Sequence, residues 1–172
     1  MTGSLLSIMK TAKEELQHWD NILDEYEQNI GLSKYASNIE QLPEQELNSY
    51  LTMDRKVLET LTPEDCGQIA YRLGQFTFHI QRTINREIAR YNWAEEAIKE
   101  TIADEINSYK GYGFLEKSLQ AIKHNDKATA LNNIKKYAKQ RSDRLSYIAN
   151  SIKNLSDIIL AIQRNKVKNG SQ

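Results

Sequence analysis

Residues 131–162 read LNNIKKYAKQRSDRLSYIANSIKNLSDIILAI. Within them Leu131, Ile134, Ala138, Arg141, Leu145, Ile148, Ile152, Leu155, Ile159 and Ile162 follow one another by alternating steps of three and four. An apolar series of this kind, held over more than four heptads, is the seam of a helix that lies along a partner and supercoils left-handed with it. Arg141 is its one polar position, and an arginine there needs a carboxylate from the opposing helix.

The partner is upstream in the same chain. Thr62-Pro63-Glu64-Asp65 combines an N-cap hydroxyl, a proline at the first helical position and two carboxylates at the positive end of the helix dipole. Apart from Gly67 and Gly74, nothing interrupts the pattern until Lys110-Gly111-Tyr112-Gly113. The stripe Leu73, Phe76, Ile80, Ile84, Ile88, Tyr91, Ala94, Ile98, Ile102, Ile106 and Tyr109 runs along this stretch. A short helix from about Phe114 to His124 and a cap at Asp126 lead into the last helix.

Upstream, Leu5, Ile8, Met9, Leu16, Trp19, Ile22, Leu23 and Tyr26 share one side of a helix expected from about Ser4 to Ile30 and ended by Gly31. Leu42-Pro43-Glu44 opens a second helix expected to reach about Leu61. The fold class is therefore all-α: a long antiparallel helical hairpin with a coiled-coil seam, plus shorter N-terminal helices. Residues 1–61 are an acidic N-terminal helical segment and 62–172 the long hairpin. With only 2 prolines and 7 glycines in 172 residues, the composition excludes a turn-dense β architecture.

A single cysteine, Cys66, excludes an internal disulfide, and Leu5 to Met9 is too short and too closely followed by charge to span a membrane. Both features are expected of a cytoplasmic protein. The net charge is zero, yet residues 1–66 hold 5 basic and 13 acidic side chains, a net of −8, while residues 122–172 hold 11 basic and 3 acidic, a net of +8. Such asymmetry has two readings: the acidic part folds against the basic helix, or the basic part is a footprint for a polyanion.

Catalytic patterns are missing. Glu15 and His18 have the Glu-x-x-His spacing of a carboxylate-bridged metal bundle, but His79 and His124 follow Phe76 and Ala121, so the motif does not recur and no metal is expected. Cys66 near a helix start has no signalled base and reads as a small apolar contact. Gly111-Tyr112-Gly113 lacks the remaining elements of a phosphate cradle. No cofactor and no enzymatic activity are expected.

Basic residues are better organised. Arg82, Arg86 and Arg90 stand at steps of four, and Lys135, Lys136, Lys139, Arg141 and Arg144 cluster within three turns beside Tyr137 and Tyr147. Cations interleaved with aromatic rings suit single-stranded nucleic acid, where phosphates take the charge and bases stack.

The stretch from Arg144-Leu145-Ser146-Tyr147-Ile148 through Asn154-Leu155-Ser156-Asp157-Ile158-Ile159 to Lys168-Asn169 resembles the C-terminal helix of the UvsY-like recombination mediators of T4-type bacteriophages. Residues 91–113, with Tyr109-Lys110-Gly111 closing a helix, are similar to that family's first long helix. The resemblance covers a third to a half of the chain, in its C-terminal half, and leaves residues 1–65 without a counterpart. It implies an oligomeric, non-enzymatic phage accessory protein that binds single-stranded DNA in recombination or replication, with a recombinase or a single-strand-binding protein as partner. The alternative is a coiled-coil adaptor or structural assembly protein that binds other proteins and has no nucleic-acid role.

Overall fold

A computed structural model describes residues 11–31 and 44–170. All its regular elements are helical: α1 (Ala12–Asn29), α2 (Glu44–Leu51), α3 (Arg55–Thr60), α4 (Pro63–Ile102), a 3-10 turn (Ile106–Ser108), α5 (Phe114–His124) and α6 (Asp126–Gly170). Helices α4 and α6 pack against each other as the expected hairpin, accompanied by the shorter helices. At 1.5 Å per residue α4 alone is about 60 Å long.

Local chemistry sets the boundaries. Thr11 begins α1 through a capping box in which its hydroxyl accepts from the Glu14 amide at 3.2 Å and the Glu14 carboxylate accepts from the Thr11 amide at 2.7 Å. Leu5, Ile8 and Met9, expected on the same helix, lie outside the described residues, as do Leu42 and Pro43. Gly31 closes α1 with φ +78°, a conformation that side chains rarely adopt. The helix expected through Leu61 is two helices, because Asp54 accepts from the Lys56 amide at 2.8 Å and starts α3 afresh.

At α4 the Thr62 hydroxyl accepts from the Asp65 amide at 3.1 Å, and the Asp65 carboxylate takes both the Thr62 amide and hydroxyl. Those bonds hold the Asp65 carboxyl below its ordinary range. The helix ends at Ile102 rather than at Lys110, and Ile106 is buried by the 3-10 turn that follows. Asn125, not Asp126, caps α6: its side chain accepts from the Ala128 amide at 3.0 Å.

The chain divides into two compact units, each containing a piece of both long helices. Among the described residues unit one comprises 11–31 and 88–139, and its interior is Ala12, Ile98, Ile102, Ile106, Ala121, Ala128 and Leu131. Tyr109 stacks on His124 with ring centres 5.7 Å apart, which secures the turn before α5. Among the described residues unit two comprises 44–87 and 140–170, with Leu58, Cys66, Ile69, Leu73, Ile80, Ile84, Ala149, Ile152 and Ile159 inside. Cys66 is fully buried among them, the small apolar contact that its surroundings in the sequence suggested.

The seam of α6 keeps one of its expected positions and shifts the other. Leu131, Ala138, Ile152 and Ile159 point inward as anticipated, but their companions are Ser142, Ala149 and Ser156, each one residue after the expected Arg141, Ile148 and Leu155. Small side chains at every seventh position let the α4 backbone come close. In unit two the Ser156 hydroxyl reaches that backbone, donating to the Ala70 carbonyl at 3.0 Å. Ile148 is consequently exposed, and on α4 Ile88 is likewise exposed while Glu87 takes the inward position.

Lys166 fastens the end of α6 to α3. Its ammonium donates to the Leu58 and Glu59 carbonyls at 2.9 and 2.8 Å and also to that of Leu61, so all three of its protons meet the negative end of α3. Lys166→Met preserves the stem and removes the donors. Its expected cost is about 1–3 kcal/mol, read as a lower urea midpoint at unchanged slope, and an unchanged midpoint would refute the role of this clamp.

Candidate nucleic-acid interface

Folding consumes many of the cations that the sequence offered. In unit one Arg90 forms a two-pronged pair with Asp20 of α1, Nε to Oδ1 at 3.0 Å and Nη2 to Oδ2 at 2.8 Å. Lys127 meets Glu15, also of α1, at 2.7 Å, and Lys135 meets Glu95 of α4 at 2.6 Å with its ammonium 5.2 Å from the centre of the Tyr91 ring. Lys135 holds the Glu95 carboxyl below its ordinary range. The acidic first helix thus folds against basic residues of both long helices within its own unit, one of the two readings of the charge asymmetry.

In unit two Arg72 lies 3.4 Å from Glu46, which also accepts the Tyr50 hydroxyl at 2.5 Å. Burial, reinforced by that bond, raises the Tyr50 hydroxyl pKa. Arg141 donates to Glu87 through Nε at 2.9 Å and Nη2 at 2.8 Å. The partner foreseen for Arg141 on the opposing helix is thus present, with the burial reversed: the Glu87 side chain is 6% exposed and that of Arg141 51%. Hydropathy gives no warning of Glu87, because its neighbour Ile88 is the residue that sequence patterning sends inward.

Of the eight cations singled out in the sequence, Arg82, Arg86 and Arg90 are half-buried and engaged with partners. Lys135 and Arg141 are paired as described, and Lys139 is exposed but also engaged. Lys136 and Arg144 are exposed and form no ion pair among the described residues. Lys153, which was not singled out, shares that condition. Tyr137 and Tyr147 are 59% and 77% exposed, so two phenol rings stand in solvent on a helix whose exposed charge is mainly positive.

Among the described residues no cluster of histidine, cysteine, aspartate and glutamate is arranged to hold a metal. Glu15, half of the Glu-x-x-His spacing, is instead bound to Lys127. A shallow cavity of about 420 Å³ in unit one, lined in part by Glu15, His18, Trp19, Trp93 and Lys127, contains no nucleophile paired with a base. None of the described helices is long and apolar enough to cross a membrane.

The class defined by these features is an all-α protein built on a long helical hairpin, with ion pairs lining its seam. No family model, curated protein or solved structure matches the chain.

Proposed function

We propose that the protein is a non-enzymatic accessory factor that binds single-stranded DNA along the outward positions of α6, as the resemblance to UvsY-like mediators implies. The observation that carries this reading is the exposure of Tyr137 and Tyr147 on a helix that also exposes Lys136, Arg144 and Lys153. Aromatic rings take the bases and cations take the phosphates, a division of labour that tolerates any sequence. Lys135, Arg141 and Arg90 leave the list of phosphate contacts and become structural. A recombinase or a single-strand-binding protein is the partner class that the resemblance supplies.

The test is a salt series with a labelled single-stranded oligonucleotide. Binding is expected to weaken steeply with salt. Lys136→Ala and Arg144→Ala should each reduce the salt slope by about one, and Tyr147→Ala should cost about 1–3 kcal/mol of binding at every salt concentration. Absence of binding at low salt rejects the proposal.

The second reading, an adaptor for other proteins, draws on a different observation. Tyr112, Phe114, Leu115 and Leu119, at and near the start of α5, are all well exposed. A patch of this kind is what a protein partner covers.

A further inference from the structure

In unit two, α4 carries a second heptad series on its solvent side. Gly67, Tyr71, Gly74, Phe78, Gln81 and Asn85 succeed one another by steps of four and three, the same spacing as the buried seam, and none of them is charged. In a chain with 27% charged residues, an outward helical face without charge over this length calls for a reason. Tyr71 and Phe78 are 67% and 53% exposed, and with Gly67, Ala70, Gly74 and Leu160 they line a groove of about 580 Å³.

Gly74 sharpens the question. A glycine inside a helix costs about 0.5–1 kcal/mol relative to alanine. At Gly67 the chain itself has a use for the missing side chain, since a Cβ there would lie 2.7 Å from the Gln163 amide nitrogen. At Gly74 an added Cβ would meet nothing within 4 Å, so packing within the chain does not require glycine. The gap faces outward between two exposed aromatic rings.

From this pattern we infer that the face is the seam of an antiparallel dimer, occupied by the same α4 face of a second copy. Gly67, Gly74 and Gln81 hold one of the two heptad positions, and Tyr71, Phe78 and Asn85 the other. Antiparallel helices layer one position against the other, so the open gap at Gly74 receives an aromatic ring. Parallel helices would layer glycine on glycine and ring on ring, leaving hollows beside clashes. With the two-fold axis at the level of residue 76, Phe78 of each copy enters the Gly74 gap of the other, and Tyr71 lies against Gln81. Each residue i then meets j while j meets i, the reciprocity that a two-fold interface demands. The absence of charge fits this occupant as well, because a charged seam would confront its own sign across the axis.

Sedimentation equilibrium across the micromolar range tests the inference. The parent is expected at twice the 19.9 kDa chain mass. Phe78→Glu and Gly74→Leu are each expected at the single-chain mass with unchanged helical circular dichroism. Gly74→Leu guards against misfolding as an explanation, since leucine favours helix and the surrounding space is open. For register, Tyr71→Cys mixed with Gln81→Cys should form an intermolecular disulfide that neither variant forms alone. A monomeric parent, a dimer that survives both substitutions, or Tyr71→Cys cross-linking to itself would each overturn the inference. None of these readings depends on nucleic-acid binding.

Discussion

Truncating Ile152 to alanine is expected to lower the unfolding free energy by about 2–5 kcal/mol, whereas the same truncation at Ile148, four residues earlier, should cost less than about 1 kcal/mol. Ile152 is 1% exposed in the unit-two interior, among Leu73, Ile80 and Ile159, and Ile148 is 45% exposed. Removing methylenes from a closed interior forfeits their transfer energy and leaves a cavity that neighbouring side chains only partly refill. At Ile148 water already touches the side chain, so little is lost. Denaturant titration of the two variants measures the contrast directly. Equal losses would mean that the inward face of α6 is the one read from apolarity, with Ile148 on the seam, and not the one with Ala149 inside.

That contrast also shows where sequence and structure part. The hairpin itself was legible, because Thr62-Pro63, Gly111 and Gly113 punctuate a chain otherwise rich in helix formers and because a spacing of three and four has a single geometric meaning. The rotational setting of α6 was harder to read. Ser142, Ala149 and Ser156 are inward because they are small, and size enters hydropathy patterning only indirectly. On α4 the same limitation exchanged Glu87 for Ile88. A carboxylate becomes tolerable inside only once its counter-ion is in place, and that counter-ion is 54 residues away in the chain.

The candidate interface suffered more, for a related reason. Charge clusters are visible in a sequence, but their availability depends on pairs such as Asp20 with Arg90, 70 residues apart, and Glu15 with Lys127, 112 apart. Nothing local to Arg90 announces Asp20. What needs no long-range partner is simpler to read: exposed tyrosines and cations at outward positions of α6.

The Glu87 and Arg141 pair supplies the sharpest energetic test. Arg141→Met removes two donors from a carboxylate that is nearly sealed from water, and the expected loss is about 2–4 kcal/mol. This is below the 3–5 kcal/mol typical of breaking a fully buried pair, because half of Arg141 is already hydrated and water can enter in its place. Glu87→Leu combined with Arg141→Met should recover most of that loss, since two apolar side chains of similar volume need no compensation. The coupling energy from the double-mutant cycle then isolates the pair from its surroundings. On the proposed reading, the same variants also decide what Arg141 contributes to binding of single-stranded DNA. If its guanidinium is held by Glu87, Arg141→Met leaves the salt slope for single-stranded DNA unchanged once the protein is folded, while Lys136→Ala reduces it. An Arg141→Met protein as stable as its parent, with a shallower salt slope, would reverse the assignment: Arg141 would be the phosphate contact and Glu87 would be held in the interior by other bonds.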